Sequence, residues 1–470
     1  MLFHSTIFLL LFISIYIFYW FLPVKGKHYL IILTSFLFYL WYSIPFMLMF
    51  LFLSILNYYA AIYLLNHKNK NILTLIVGLD LAVLGFFKYF YLFASGIGYL
   101  IQNDYLIHIK ENLIRDYNIE IILPIAISFY TFQIIAFVVD CYRNTITEKI
   151  SFRKFIVFIL FFPQFVAGPI LRASDFIPQI DQPTLEKRKI YIGSLLILQG
   201  VFKKVLVADP IGYYTSPVWQ NPSHYDAIIY WFLIFAFVVQ VYADFSGYTD
   251  MARGMAKLLG YEIPENFRGP LLSSSMSELW NRWHITLSSW LRDYIYIPLG
   301  GSRRGEFRTY INLFITMSLG GLWHGATWNM LIWGMLMGIY LSIERFLRVH
   351  DIKFLPENQF ISFIKKGFTL FMFSFIAIFF ATPTLNNAIV IIKGMFLLPR
   401  GYPLISYETV IVLIIIGLIL NYLQYNRTII ERIYHNETLQ FRLIVIGLFL
   451  ITYLLYLYGD MGGAFIYFAF

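Results

Sequence analysis

The chain has 470 residues, of which 59% are hydrophobic, 20% are aromatic and only 13% are charged. Soluble domains carry about 25% charged residues, so this composition predicts a polytopic membrane protein. The net charge of +9 does not require a nucleic-acid partner, and none is expected. With Cys141 as the single cysteine, intramolecular disulfides and metal or iron–sulfur sites built on several cysteines are excluded.

Apolar runs that approach the length of a membrane span recur along the whole sequence. A transmembrane helix needs roughly 17–25 residues. About 11 spans are predicted, at residues 5–22, 28–42, 45–65, 71–93, 121–139, 190–207, 226–243, 326–343, 367–382, 407–424 and 443–458. We therefore predict an all-α polytopic membrane protein with a single domain over residues 1–470 and a motif-dense core at 120–345.

The distribution of basic residues predicts the topology. The first apolar run has no positive residue before it and is followed by Lys25 and Lys27, which is the reverse of a secretory signal. Further basic clusters occur at residues 68–70, 143–154 and 187–189. Under the positive-inside rule these loops are cytoplasmic and the N-terminus is outside.

Residues 156–171 are apolar but are interrupted by Pro163, Gly168 and Pro169. Proline removes a backbone donor, and such a break at membrane depth is tolerated only inside protein or beside a water-filled cavity. A re-entrant segment is predicted here.

Residues 273–298 have the pattern of one amphipathic helix. Ser273, Ser274 and Ser275 are candidate N-caps, and Glu278 lies in or near the first turn. The predicted apolar stripe contains Met276, Trp280, Trp283, Leu287, Trp290 and Leu291. A second face is shared by Asn281, His284, Ser288 and Arg292, at helical spacing. Such a helix suits the membrane interface or the wall of a polar cavity.

His324 is predicted near the apex of a tight helical hairpin. Basic residues flank the hairpin at 303–308 and 345–348, and only about 35 residues lie between them. This length allows two spans with almost no loop, and the glycines of LGGLWHG (319–325) permit an abrupt turn. His324 is therefore expected within the membrane thickness or at its outer boundary.

The two histidines are the candidate catalytic groups. A neutral-range pKa makes imidazole suited to proton transfer, so His324 is predicted to act as a general base on an attacking hydroxyl. His284 is predicted to hydrogen-bond an acyl carbonyl or to orient the donor or the other histidine. Either ring could instead only hydrogen-bond a neighbouring helix, and periodicity alone does not decide between these roles.

Other charged residues have two interpretations each. Arg303 and Arg304 in GGSRRG could bind phosphates, or they could be positive-inside anchors. Arg292 and Asp293 are predicted to form a helix-end ion pair. Asp244 and Asp250 are interpreted as structural partners of Arg253, although they could also be polar pocket walls.

Three long motifs together resemble the membrane-bound O-acyltransferase superfamily. They are residues 242–267 (YADFSGYTDMARGMAKLLGYEIPENF), 277–301 (SELWNRWHITLSSWLRDYIYIPLGG) and 320–325 (GGLWHG). The resemblance is greatest to the branch of alginate, exopolysaccharide and peptidoglycan O-acetyltransferases. SFYTFQ (128–133) and FFPQFVAGPI (161–170) are also similar to this branch.

The resemblance implies a ring of membrane helices with re-entrant segments around a central funnel or tunnel. It places the family's invariant histidine at His324, and its second position, which is Asn, Asp or His in other branches, at His284. Beside the histidines we predict, as polar or supporting neighbours, Asn281, Ser288, Arg292, Asp293 and Trp323. Our hypothesis for the mechanism places Arg303 and Arg304 near the donor phosphates.

The resemblance also implies a reaction. Acetyl-CoA is the expected donor substrate, with no permanently bound cofactor. No metal is expected, because the sequence has no set of cysteines and no paired acidic helix faces. The expected acceptor is an extracytoplasmic polysaccharide, and a separate SGNH-type protein is the expected partner in delivering the acetyl group to it. The chain itself is expected to lie in the lipid bilayer of the bacterial cytoplasmic (inner) membrane.

Two alternatives remain open. A D-alanyl transferase of teichoic acids shares the RWHxxLSxWxRDY pattern, although the IPLGGSRRG continuation (297–305) favours the alginate-like branch. A polysaccharide exporter or scaffold would perform no chemistry; a transporter of this kind is expected to show an inverted repeat, which the sequence does not show. Replacing His324 with alanine separates an enzyme from a scaffold.

Overall fold

The computed structural model describes residues 6–165, 168–352, 358–397, 401, 403 and 406–458. Within these ranges the chain forms helices, turns and loops, without strands. Seven helical stretches are long and apolar enough to cross a membrane. They are Ile44–Asn66, Lys70–Ile101, Lys187–Gln220, Ala227–Leu258, Trp328–Val349, Gln359–Ala381 and Tyr407–Tyr425. The predicted all-α membrane fold is confirmed.

The seven stretches coincide with seven of the predicted spans. The other four predicted runs are also helices, although they are not among the seven. They lie at Thr6–Phe21, Val24–Tyr42, Ile127–Tyr142 and Glu437–Tyr458. The ring-and-funnel arrangement, the single domain and the topology stay predictions.

The described chain forms two compact units, and the partition falls within α1 (Thr6–Phe21). The smaller unit contains residues 15–183 and 325–327. Its further helices are α2 (Val24–Tyr42), α3 (Ile44–Asn66), α4 (Lys70–Ile101), α5 (Asp104–Ile107), α6 (Ile109–Tyr117), α7 (Ile127–Tyr142), α8 (Phe152–Ile159), α9 (Phe162–Phe165) and α10 (Ala173–Phe176), followed by a 3₁₀ turn (Ile177–Gln179).

The predicted interruption at residues 156–171 is present in the smaller unit. Helix α8 ends at Ile159, and α9 is a single turn that contains Pro163. Side chains 155–162 are buried, so protein surrounds this break, as the irregular backbone requires. Val166 and Ala167 lie outside the described residues, and the re-entrant path through a membrane stays a prediction.

The larger unit contains residues 1–14, 184–324 and 328–470. Its helices are α11 (Lys187–Phe202), α12 (Asp209–Gln220), α13 (Ala227–Leu258), α14 (Met276–Arg282), α15 (Ile285–Leu291), α16 (Glu306–His324), α17 (Trp328–Val349), α18 (Gln359–Ile376), α19 (Ile378–Ala381), α20 (Leu385–Leu397), α21 (Tyr407–Tyr425), α22 (Arg427–Tyr434) and α23 (Glu437–Tyr458). Two π-helical segments, Lys203–Ala208 and Arg292–Tyr296, continue α11 and α15, and 3₁₀ turns lie at Pro222–His224 and Pro270–Leu272.

Helices α11 and α13 pack closely through glycines. A Cβ atom on Gly200 would lie 2.4 Å from the carbonyl oxygen of Gly247, and one on Gly254 would lie 2.5 Å from that of Gly193. Small residues allow two apolar helices to approach to backbone contact. This contact fixes the position of α13 in the larger unit.

A buried set of ion pairs lies beside the Gly200 contact. Lys203 Nζ is 2.7 Å from the Asp250 carboxylate, and Lys204 Nζ is 2.7 Å from Asp209 and 2.8 Å from Asp244. The predicted partnership with Arg253 is therefore correct for Asp250, at 3.7 Å, and wrong for Asp244. Sequence spacing favoured a neighbour on the same helix, whereas the main partners are lysines of the preceding span.

Helices α16 and α17 form the predicted hairpin. His324 is the last residue of α16, and α17 begins four residues later at Trp328. The role assigned to two of the glycines was wrong, because Gly320 and Gly321 lie within α16. A Cβ atom on Gly321 would meet the Met330 carbonyl oxygen at 2.2 Å, so this glycine permits contact between the two helices.

Candidate active site

His284 lies at a break between two short helices, so the prediction of one continuous helix over 273–298 was wrong. Helix α14 (Met276–Arg282) stops before His284, and α15 (Ile285–Leu291) starts after it. His284 has φ +43° and ψ +52°, in the left-handed region that a helix interior does not allow. Asn266 stabilises the new helix start, because its side-chain oxygen accepts from the Thr286 N–H at 3.1 Å and hydroxyl at 2.7 Å.

The start of α14 follows the predicted capping pattern. The Ser275 hydroxyl accepts a hydrogen bond from the Glu278 N–H at 3.0 Å, and the Glu278 carboxylate accepts from the Ser274 N–H at 2.9 Å. Glu344 of α17 accepts from the Met276 N–H at 2.7 Å. These contacts attach α14 to the α16–α17 hairpin that carries His324.

The break separates the predicted polar face into two environments. The His284 ring is fully buried, with ring centroids 4.6 Å from Phe245, 5.7 Å from Trp323 and 6.3 Å from His324. Asn281, Ser288 and Arg292 instead line a separate cavity. Thus His284 joins His324, whereas the residues predicted to share its face do not.

His324 lies in an aromatic enclosure. Its ring centroid is 5.3 Å from Trp333, 5.2 Å from Phe380 and 5.0 Å from Trp323. A narrow pocket of about 20 Å³ reaches the ring. Its lining consists of Phe237, Val238, Val241, Trp283, His324, Trp333, Phe373, Ala377 and Phe380. The predicted base therefore meets a small and almost wholly apolar space.

The second cavity is larger and more polar. It has a volume of about 340 Å³ and lies among α14, α15, α16 and α17. Its lining is Ser277, Trp280, Asn281, Ile285, Ser288, Ser289, Leu291, Arg292, Tyr296, Leu313, Thr316, Met317, Leu341, Arg345 and Arg348. Three guanidinium groups thus face a space that can hold a polar or anionic group.

Two of the three arginines of this cavity, Arg292 and Arg345, form ion pairs with neighbouring carboxylates. Arg292 Nε donates to Asp293 at 2.7 Å, which confirms the predicted ion pair. Arg345 donates two hydrogen bonds to Glu306, at 2.8 and 3.1 Å. The rings of Trp280 in the polar cavity and Trp333 in the His324 pocket are 5.9 Å apart, so this pair connects the two linings.

Arg303 and Arg304 are placed differently from the lining arginines. Both are exposed in the turn before α16, and neither is part of the cavity lining. Gly300 has φ +112°, and a Cβ atom there would lie 2.9 Å from Cδ of Arg304. The turn therefore depends on glycine, and a phosphate-binding role for these two arginines stays a prediction.

The environment of His284 sets its protonation state. The residue lies outside the seven candidate spans, and burial lowers the pKa of its imidazole to about 3. A neutral imidazole has one N–H donor and one acceptor nitrogen. At neutral pH the ring can therefore donate one hydrogen bond without carrying a charge.

Several residues that shape the site were not identified from the sequence. Asn266 fixes the start of α15, Glu344 holds the start of α14, and Phe380 encloses His324. Asn266 lies inside a motif that carries the resemblance. Because asparagine often caps helix starts, its residue type was the one feature of the sequence that could have indicated this role. Phe380 had no signal, since it is one of 48 phenylalanines.

Residues 4–382 match the model of the MBOAT, membrane-bound O-acyltransferase, family. This match extends over more than half of the chain and includes both histidines. The chain belongs to this family. It is a multi-pass membrane protein and an O-acyltransferase.

Named relatives agree with the family. The chain is 39% identical to a probable alginate O-acetylase of Pseudomonas putida, over 74% of this chain and 71% of the relative. It is 31% identical to the peptidoglycan O-acetyltransferase of Helicobacter pylori, over 84% and 80%. The teichoic acid D-alanyltransferase of Bacillus subtilis is 26% identical over 50% of this chain and 62% of that protein.

Proposed function

We propose that this chain is an O-acetyltransferase that passes acetyl groups from acetyl-CoA on the cytoplasmic side to an extracytoplasmic polysaccharide. The observation that carries the proposal is the meeting of His284 and His324, with ring centroids 6.3 Å apart, in a buried aromatic enclosure. The two rings come from separate helical segments, and the backbone at His284 departs from the helical conformation where it meets His324.

His324 is proposed as the general base. It takes the proton from an attacking hydroxyl, whose oxygen forms a bond to the thioester carbonyl carbon as the carbon–sulfur bond breaks. The thiolate of CoA leaves and receives the proton from His324, so that an ester and free CoA result. His284, neutral at physiological pH, donates its N–H to the carbonyl oxygen as negative charge develops there.

The polar cavity offers a place for the polar part of the donor. Arg292, Arg345 and Arg348 line it, and guanidinium groups bind phosphates in bidentate geometry. Trp280 of this cavity is in contact with Trp333 of the pocket at His324, with ring centroids 5.9 Å apart, so the two linings adjoin. Arg303 and Arg304 remain an alternative position for the phosphates, because both are exposed in the turn between Arg292, which lines the cavity, and the start of α16.

The proposal of a polysaccharide acceptor is supported by the named relatives. The names of the similar proteins specify alginate and peptidoglycan, and both are extracytoplasmic carbohydrates. We propose a bacterial inner-membrane location and a separate SGNH-type partner that completes delivery. The hydroxyl activated by His324 belongs either to that partner or to the sugar. D-alanyl transfer is the second candidate, and the lower coverage of its relatives gives it less support.

Purified full-length protein in liposomes with labelled acetyl-CoA tests the proposal. Wild type should transfer or release the label, and His324→Ala should abolish this activity while the protein stays folded. His350→Ala is the matched control, because His350 is exposed at the end of the same hairpin. Full activity in His324→Ala would refute the enzymatic role. A wild type that transfers D-alanine but not acetyl would favour the second candidate.

A further inference from the structure

We propose that the pocket at His324 is an acyl-selectivity pocket, in which Phe380, Phe373 and Ala377 limit the transferred group to acetyl. This inference rests on the proposed function and adds the property that determines which acyl groups react. The pocket is the apolar space of about 20 Å³ described above. The methyl of the acetyl group would occupy it, with the carbonyl carbon facing the hydroxyl that His324 activates.

The lining excludes polar alternatives to an acyl tail. Apart from His324 and the indole N–H groups, the side chains that line the pocket are hydrocarbon. Burying a polar substrate group here without a hydrogen-bond partner would be costly. A short alkyl group has no such requirement, so the chemistry of the walls favours the methyl of a thioester over a hydroxyl-bearing sugar ring.

The volume limits the length of that tail. A cavity needs roughly 10–15 Å³ of such space to hold one water molecule, so about 20 Å³ accommodates one small group such as a methyl. A longer acyl chain would have to displace the far wall. That wall is made of large rings that also contact each other, with Trp333 and Phe380 centroids 5.3 Å apart.

The side chains that form the walls also pack against residues of other helices, and this packing makes the pocket rigid. Phe380 also contacts Phe237 of α13, with centroids 6.1 Å apart, and Phe373 contacts Trp283, at 5.2 Å. Close-packed interiors resist expansion by even one methylene. An extra methylene on the acyl group should therefore be disfavoured by roughly 10–200-fold in kcat/KM.

Acyl-chain profiles of full-length protein test the proposal with acetyl-CoA, propionyl-CoA and butyryl-CoA. Wild type should prefer acetyl by at least roughly tenfold over propionyl. Phe380→Ala should reduce this preference at least tenfold, and Phe380→Leu should do so partly with less disturbance of the fold. Ala377→Val should fill the pocket and lower acetyl transfer. Phe379→Ala is the matched control, because Phe379 is the adjacent phenylalanine and does not line the pocket.

The outcomes separate this inference from the proposed function. A wild type that uses propionyl-CoA as readily as acetyl-CoA overturns the selectivity pocket and leaves acyl transfer intact. An unchanged preference in folded Phe380→Leu, together with full acetyl transfer by Ala377→Val, also overturns it. Absence of transfer from any acyl-CoA by wild type overturns the proposed donor and the selectivity pocket together.

Discussion

At the residue scale, His284 combines an unusual backbone with a buried ring. A non-glycine residue in a sparsely populated region such as the left-handed one costs about 1–3 kcal/mol and persists only where surrounding contacts enforce it. Here the enforcing contacts are the Asn266 cap and the ring neighbours Phe245 and Trp323. The left-handed backbone at His284 therefore places the imidazole beside His324 and not in the polar cavity.

Asparagine is the substitution that best preserves this geometry. Asn adopts positive φ more readily than other non-glycine residues and keeps a side-chain donor. We expect His284→Asn to retain part of the wild-type acetyl transfer, whereas His284→Ala should lose roughly 10²-fold or more, as when an oxyanion donor is removed. The measurement is kcat with labelled acetyl-CoA. Equal activities of the two variants would contradict a donor role for this side chain.

At the element scale, the Asn266 side chain caps the start of α15. Asn266 is 1% exposed, and its oxygen accepts from both the N–H and the hydroxyl of Thr286. Loss of an N-cap costs about 0.5–2 kcal/mol. The capped residue, Thr286, lies two residues after His284. Loss of these hydrogen bonds should therefore also release the strained backbone at His284.

We expect Asn266→Ala to lower kcat by more than its modest loss of stability explains, with little change in KM for the donor. Thr286→Val removes only the hydroxyl and keeps the backbone hydrogen bond, so its effect should be smaller. Steady-state kinetics and thermal unfolding of both variants measure the two effects separately. If kcat is unchanged in folded Asn266→Ala, then the cap does not position His284.

Buried ion pairs also hold together the helices α11, α12 and α13. Lys203 and Asp250 are 0% and 3% exposed at their side chains, and Gln199 also donates to Asp250, at 3.1 Å. The set of three basic and three acidic groups is electrically balanced. Removing one member of a buried pair leaves an uncompensated charge and costs about 3–5 kcal/mol.

Lys203→Met should therefore lower the temperature of thermal unfolding clearly, and the double variant Lys203→Met/Asp250→Asn should recover part of this loss. Lys187→Met is the control, because Lys187 forms an exposed pair with Glu437, and such pairs contribute about 0–1 kcal/mol. Circular dichroism in detergent gives the unfolding temperatures. A double variant no more stable than Lys203→Met would show that the charge balance does not matter.

The same elements show what the sequence could predict and where prediction failed. His324 could be placed at a helix end because the flanking arginines left room for two helices and almost no loop. The break at His284 was hidden, because Trp283 and Leu287 stay buried on both sides of it and the apolar period continues. The pairing of Lys203 with Asp250 spans 47 residues, which local spacing cannot detect.

At the scale of the whole molecule, the candidate site belongs entirely to the larger unit. Its members range from Phe237 on α13 to Phe380 on α19, and the family match ends at residue 382, two residues beyond Phe380. The helices after α19 add packing around this unit, such as Gly417 of α21 against Val239 of α13. The proposed chemistry thus lies within the region that the family shares.

The position of the donor phosphates can be decided by ligand-induced stabilisation of the whole protein. A ligand at 100 times its Kd stabilises the folded state by about 2.7 kcal/mol, so CoA should raise the unfolding temperature of wild type. If the polar cavity binds the phosphates, Arg348→Ala should reduce this rise, and it leaves the Arg292 and Arg345 ion pairs intact. The reduction should grow smaller at high salt, where exposed charges are screened.

Two further variants discriminate the alternative site, and a third is the control. Arg303→Ala and Arg304→Ala should leave the rise unchanged if the phosphates lie in the cavity, because neither side chain lines it. Arg432→Ala removes an exposed charge on α22 and controls for net charge. A loss of the rise in the Arg303 and Arg304 variants, with a normal rise in Arg348→Ala, would move the phosphates to the turn before α16. The cavity would then be left to the remainder of the donor, next to the Trp280–Trp333 pair where its lining meets that of the His324 pocket.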